Sequence, residues 1–369
     1  MTAWFLSVAC CLLASRVSAA PASAFATASS NDEVLSQSTL LHTADHDVTS
    51  LGVLFGEGEE VVFFIESDVK ERGERVDYGL YALTKDPKSK RMVSTKLLDS
   101  ARDIAVASLT NAAYFAAKDG IYVYDKKKNS AEKYGSVSDD VISIAAENGT
   151  GVLYYVNKQH QLYKVSEGQK PTIIDAVKNA EQFTLDKKGH LYFYTTDKKF
   201  YVYDGQSVKP VEGIPSNLNK VWFVRTPLFV EDYCLVNGED EYYQIWGNAT
   251  AVGAGSSRGS FAVSALSVDT GFLAYFATDR KIYEFNVLAK VVAGIMDELS
   301  KGLKPMLENI RPSFSGDINT FAPMPAETGS RVSIDVPVNG SQQAFCAVGF
   351  GPTHASPPKD PGPHGPEIW

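Results

Sequence analysis

Residues 189–205 read GHLYFYTTDKKFYVYDG. An apolar, aromatic run is followed by a short polar turn and then by a second run carrying an apolar-Tyr pair. β-branched and aromatic side chains suit a pleated, buried surface, so the segment predicts a β-hairpin. The same phrase recurs along the chain as NAAYFAAKDGIYVYDKK from Asn111, GVLYYVNKQHQLYKVSE from Gly151, DYCLVNGEDEYYQIWGN from Asp232 and GFLAYFATDRKIYEFNV from Gly271. A further copy, VVFFIESDVKERGERVDYGLYALTK from Val61, fits with a lengthened turn.

The anchoring residues Tyr81, Tyr122, Tyr163, Tyr201, Tyr243 and Tyr283 are spaced by 41, 41, 38, 42 and 40 positions. A shorter apolar segment precedes each hairpin: Val48 to Phe55, Ile104 to Ser108, Val141 to Ala146, Ala180 to Leu185, Val221 to Arg225 and Phe261 to Leu266. Another follows each of the first five, as MVSTKLL, SAEKY, PTIID, VKPVE and ATAV. Four strands per unit and six units predict an all-β fold, a six-bladed β-propeller with a largely unstructured C-terminal extension. A small twisted sheet with two apolar faces covers both by packing between like neighbours around an axis. The weak alternation of Val61-Val62-Phe63-Phe64-Ile65 agrees with strands covered on both sides. Six equivalent tyrosines cannot share one site, so they are expected to pack between blades, with each hydroxyl on a backbone carbonyl.

Closing such a ring requires a last strand. Ser38-Thr39-Leu40-Leu41-His42 followed by Asp45 to Val48 repeats the outer-to-inner pattern of KLLDSARDIAV, while Lys290-Val291-Val292 lies at the matching distance beyond Tyr283. Both compete for the place, and the N-terminal segment is the preferred one. The resulting division is a signal peptide over 1–20, a linker over 21–37, the propeller over 38–292, a helix over 293–311 and a disordered Pro-rich tail over 312–369. The helix rests on the spacing of Ile295, Leu299, Leu303 and Leu307, interrupted by Gly294, Gly302 and Pro305.

The start of the chain, AWFLSVACCLLA from Ala3 and then Ser15-Arg16-Val17-Ser18-Ala19, has the short apolar run and small residues of a secretory signal. A secreted, extracellular protein is therefore expected, although the leader lacks an early Lys or Arg. The run is too short to span a bilayer. With Lys+Arg at 35 and Asp+Glu at 44, the formal charge is −9. It has no basic block to meet nucleic acid or an anionic membrane, and neither is an expected partner. The chain is read as a monomer. Removal of the leader leaves Cys234 and Cys346, which either pair or remain thiols. Asn148, Asn248 and Asn339 head glycosylation sequons.

No HExxH, paired CxxC or Walker sequence is present, and no catalytic residue, metal site or cofactor is expected. His46, His160 and His190 stand at strand ends and read as turn residues. His354 and His364 lie in the tail. Acidic fragments such as Asp139-Asp140 lack EF-hand spacing. Propeller ligands sit at one end of the central channel, where the inter-blade loops meet those joining the two middle strands. Those inter-blade loops carry His46-Asp47, Arg102-Asp103, Asp139-Asp140, Lys178-Asn179, Asn219-Lys220 and Arg258, with Phe183, Trp222, Phe223 and Phe261 behind them. Rings beside both signs of charge suit a planar, polar, aromatic ligand. The candidate ligand-binding set is Arg102, Asp140, Asn179, Asn219, Trp222 and Arg258.

With the leader and the Tyr-anchored repeats, phrases such as KDGIYVYDKK and GHLYFYTTDKKFYVYDG resemble the ommochrome-binding proteins of insect haemolymph, over about residues 38 to 290. The resemblance implies a non-enzymatic carrier of a tryptophan-derived, acidic fused-ring pigment, and carries no ligand motif residue by residue. One alternative is a calcium-dependent lactonase or esterase of the gluconolactonase type, with Asp47, Asp103, Asp140, Asn179 and Asn219 as oxygen donors. Against it, LGVLFGEGEEVVFF at the first blade lacks the Glu-Gly-Pro-aromatic sequence of those enzymes. A protein-interaction propeller is the other alternative.

Overall fold

The computed structural model describes residues 31–286 and Ala289, apart from 57–58, 71–73, 148, 219, 225–231, 240, 257–262 and 269–272. Twenty-four strands form six four-stranded antiparallel sheets. Blade 1 is β2 (Val48–Gly56), β3 (Glu59–Val69), β4 (Arg75–Lys85) and β5 (Met92–Leu98). Blade 2 is β6 (Asp103–Ala107), β7 (Ala112–Ala117), β8 (Gly120–Asp125) and β9 (Ser130–Lys133). Blade 3 is β10 (Val141–Ala146), β11 (Leu153–Asn157), β12 (Leu162–Val165) and β13 (Thr172–Ile173). Blade 4 is β14 (Ala180–Leu185), β15 (Leu191–Thr195), β16 (Phe200–Tyr203) and β17 (Val208–Pro210). Blade 5 is β18 (Val221–Val224), β19 (Tyr233–Gly238), β20 (Glu241–Trp246) and β21 (Ala251–Ser256).

Blade 6 takes its inner three strands, β22 (Ala265–Val268), β23 (Leu273–Thr278) and β24 (Lys281–Asn286), from the end of the repeat. Its outer strand is β1 (Thr39–Thr43), with Leu40 opposite Tyr283 and Thr43 opposite Lys281. The N-terminal segment thus closes the ring, and the competing Lys290–Val292 lies outside the described residues. Within the segment read as linker, Asn31–Gln37 forms a short helix, α1, whose Val34 is buried with Tyr233 and Phe276 of blades 5 and 6. Strand β22 begins four residues later than expected, and Phe261 falls outside the described residues. The expected helix over 293–311 and the tail also lie outside them.

The core is divided into six apolar clusters, one at each blade interface. The cluster joining the last blade to the first brings Tyr275, Ala277 and Ile282 against Val48, Leu51 and Phe64. Second strands are covered on both faces: all five residues of β15 and all six of β19 are buried. Full burial of a Val, Leu, Ile or Phe side chain contributes about 1.5–3 kcal/mol, and every interface holds several. Outer strands such as β13 are exposed.

The repeated tyrosines occupy one ladder position on the third strands. Tyr81, Tyr163, Tyr201 and Tyr283 lie opposite Phe64, Tyr155, Phe193 and Phe276 with ring centroids 5.1–5.4 Å apart. Their packing role is as expected, but for three of the six the hydroxyl partner is not. Tyr122 donates to Asp119 Oδ2 (2.8 Å), Tyr163 to Gln161 Oε1 (3.2 Å) and Tyr243 to Glu241 Oε2 (2.8 Å), all side-chain acceptors. These acceptors sit two or three residues upstream, at or just after the middle hairpin turn.

Two glycines set close approaches. Gly120 has φ +134°, and a Cβ there would stand 2.1 Å from the Val137 carbonyl oxygen. Gly52 on β2 packs against Ile104, which a Cβ would meet at 2.5 Å, so the innermost strands of blades 1 and 2 draw together.

Candidate functional site

Each inner strand starts at the same end of the ring, so the residues just before and at its beginning converge on the channel mouth. There a cavity of about 200 Å³ is lined by Thr49, Ser50, Arg75, Arg102, Asp103, Ile142, Gln182, Phe183, Trp222, Phe223 and Ser264, among others. All six blades contribute. Hydroxyls, an amide, two guanidinium groups and three rings face one small space.

The charges are ordered by partners on neighbouring blades. Arg102 Nη2 lies 3.1 Å from Asp140 Oδ1 and 3.3 Å from Oδ2, linking blades 2 and 3. Its Nε is buried without a hydrogen-bond partner. A buried guanidinium N–H left unmade is costly. Arg75 Nε pairs with Asp77 Oδ1 at 2.7 Å, and its Nη2 donates to Thr49 Oγ1 (3.4 Å) and the Ala101 carbonyl (3.3 Å). Asp103 Oδ2 accepts from Ser143 Oγ (3.1 Å) and the Ile144 N–H (2.9 Å), and Oδ1 from the Ile104 N–H (2.9 Å). Next door, Asp139 Oδ2 accepts from the Tyr155 hydroxyl at 2.7 Å. Burial, then this carboxylate, pushes the Tyr155 pKa up.

Of the residues expected at the site, Arg102 and Trp222 line the cavity, together with Phe183 and Phe223. Asp140 stands behind Arg102 as its counter-ion. Asn179 does not line the cavity: it is exposed at φ +54°, and its carbonyl accepts the Thr196 N–H at 3.0 Å, so it shapes a turn. Asn219 and Arg258 lie outside the described residues. The oxygens considered for calcium have separate partners: Asp47 pairs with Arg280 (3.1 Å), Asp140 with Arg102, and Asp103 with Ser143 and backbone N–H groups. Asp47, Asp103 and Asp140 do not form a common cluster among the described residues.

The sequence reading missed Arg75, Thr49, Ser50, Gln182 and Ser264. Arg75 had a signal: the first blade's middle turn is longer than the others, which brings its basic end over the channel. The three histidines are turn residues as read. His46 Nδ1 is 3.1 Å from Asp68 Oδ2 with its ring stacked on Tyr78, His160 Nδ1 is 3.0 Å from the Ala180 carbonyl, and His190 Nδ1 is 2.7 Å from Asp186 Oδ2. Cys234 is a fully buried thiol, its pKa pushed up by burial, and Cys346 lies outside the described residues. Asn248 is exposed, and its Oδ1 accepts the Thr250 N–H (3.0 Å) and hydroxyl (2.7 Å). Asn148 and Asn339 are outside the described residues. Among the described residues no helix is long and apolar enough to cross a membrane.

No family model and no curated protein matches this chain. Solved structures similar to it include an auxiliary nutrient binding protein from Bacteroides thetaiotaomicron VPI-5482, at 11% identity and a TM-score of 0.48, covering 65% of this chain and 69% of that one. The structure of U3-55K is similar at 10% identity and a TM-score of 0.46, over 66% and 78% of the two chains. The WD40 β-propeller domain of Doa1 is similar at 11% identity and a TM-score of 0.45, over 67% and 95%. This chain is a six-bladed β-propeller, with WD40 propellers among its structural neighbours.

Proposed function

We propose that the chain is a secreted, non-enzymatic binding protein that takes a small planar acid at the channel mouth. One observation carries this reading: Arg102 lines the cavity with its Nε unpartnered, beside the rings of Trp222 and Phe183. A carboxylate accepts well from a guanidinium N–H, and an aromatic ring stacks against an apolar wall. Drug-sized ligands occupy cavities of about 300–1,000 Å³. The space here is about 200 Å³, which suits an acid of one or two rings. A fused-ring pigment of the ommochrome type would insert its acidic end and leave the remaining rings at the mouth.

The probe is quinoline-2-carboxylate, titrated into the full chain while tryptophan fluorescence is followed. Saturable quenching is expected, and Arg102→Ala should weaken binding about 5- to 150-fold, corresponding to about 1–3 kcal/mol. Binding unaffected by Arg102→Ala, or none at millimolar probe, would overturn the assignment. Protein taken from its native fluid should carry visible absorbance if its cargo is a pigment. Calcium-dependent lactone hydrolysis by colourless protein would favour the hydrolase instead.

A further inference from the structure

At the opposite end of the ring, between blades 4 and 5, ligand atoms of Asp186, His190 and Asp232 lie within 4.8 Å of one another. Asp186 and His190 bracket the β14–β15 turn, and Asp232 immediately precedes β19. We propose that these three side chains bind a divalent transition-metal ion of the zinc class, which staples the two blades together.

Two carboxylate oxygens converge on a single ring nitrogen: His190 Nδ1 is 2.7 Å from Asp186 Oδ2 and 3.4 Å from Asp232 Oδ1. That nitrogen can direct only one proton, so one oxygen faces it without a full bond. Ligands at Zn–N and Zn–O distances of about 2.0–2.2 Å in a tetrahedron stand about 3.3 Å apart. The Asp232–His190 separation already matches, and the Asp186–His190 pair needs to open by about 0.6 Å. On metal binding the imidazole proton moves to Nε2, and the lone pairs that met it turn to the ion.

The surroundings are those of a built site. The Asp186 side chain is fully buried, and Tyr192 donates its hydroxyl to Asp186 Oδ2 at 2.8 Å, fixing the carboxylate as an outer-shell partner does. Lys188 Nζ pairs with Asp232 Oδ2 at 3.1 Å, which leaves Oδ1 turned to His190. Gly247 supplies the space independently. Its N–H donates to the Asp232 carbonyl at 3.0 Å, and a Cβ there would stand 2.6 Å from Asp232 Oδ1 and 2.7 Å from His190 Nδ1. One nitrogen and two oxygens suit zinc or a neighbouring first-row ion, and a fourth position is left for water.

The experiment uses the untagged full chain, stripped with chelator and titrated with Zn²⁺ alone, with bound metal counted after gel filtration. One zinc per chain and a raised unfolding temperature are expected, and Co²⁺ in its place should give the visible spectrum of a four-coordinate site. His190→Gln and Asp232→Asn, both at partly exposed positions, should each weaken zinc binding at least about 10-fold while circular dichroism stays unchanged. Gly247→Ala gives a second route, since it fills the space without removing a ligand, and should also abolish tight binding. No stoichiometric zinc, or zinc retained undiminished in these variants, would overturn the proposal.

Discussion

Asp103 offers a sharp test of how the channel wall is held. Its carboxylate reaches from the first inner position of blade 2 to blade 3, accepting the Ile144 N–H at 2.9 Å and the Ser143 hydroxyl at 3.1 Å. Ile144 is fully buried, so Asp103→Ala takes a charged acceptor from that N–H. A hydrogen bond to a charged group contributes about 1.5–3 kcal/mol, and Asp103→Ala removes it. Water entering from the cavity recovers part, which gives about 2 kcal/mol for Asp103→Ala. Asp103→Asn keeps a carbonyl oxygen for Ile144 and should cost about 1 kcal/mol. For a propeller near 250 residues these correspond to drops of about 4–8 °C and 2–4 °C in Tm. Ser143→Ala should cost less, and the Asp103/Ser143 double-mutant cycle should show about 0.5–1.5 kcal/mol of coupling. Urea unfolding at neutral pH reads the parent and all four variants. If Asp103→Ala stays within about 0.5 kcal/mol of the parent, the inter-blade bond is not the residue's role. A stable variant that lost calcium-dependent hydrolysis would instead place Asp103 in a metal site.

Removing the chain through Thr43 deletes β1. Its four ladder positions opposite β24 contribute about 2–6 kcal/mol together, and the bared β24 edge invites self-association, so gel filtration and thermal melts should show both loss of stability and larger species. An unchanged monomeric melt would contradict the closure. Burial, reinforced by Tyr114, pushes the Tyr134 pKa up to about 12. The unfolded phenol loses its proton near pH 10, so the stability tied to the neutral form is complete below that pH and disappears as pH rises through about 12. Ultraviolet titration should find Tyr134, Tyr155 and Tyr192 ionising late and together with unfolding, and early ionisation of all tyrosines would refute their burial. Gly120→Ala forces a Cβ against the Val137 carbonyl oxygen at a positive φ and should cost at least about 2 kcal/mol in urea unfolding. Gly205→Ala, also at positive φ but with nothing within 4 Å, should cost only about 1 kcal/mol.

The architecture was legible because it is written in short range. Each hairpin is a local pairing, and its recurrence about every 40 residues encodes the number of blades. Strands β5, β10 and β14 fall on the very segments expected from their apolar runs. The tyrosines could be assigned to packing from their multiplicity alone, but not their hydroxyl partners, which depend on where each middle turn places its acid or amide. The site was half legible. Arg102 and Trp222 stand out by residue type at a predicted strand start, whereas Asn179 has the same position in its repeat and turns away because its left-handed backbone serves a turn.

What the sequence determined by itself is the repeating unit, since strand formation and hairpin register follow from neighbours within a few residues. What only the tertiary structure decided is everything that joins units. The choice of Thr39–Thr43 as closing strand rests on pairing with residues more than two hundred positions away. Arg75 over the channel and the meeting of Asp186, His190 and Asp232 depend on side chains from different turns or blades arriving at one point. No periodicity along the chain records such meetings, because they are fixed by the angle at which one sheet packs on the next.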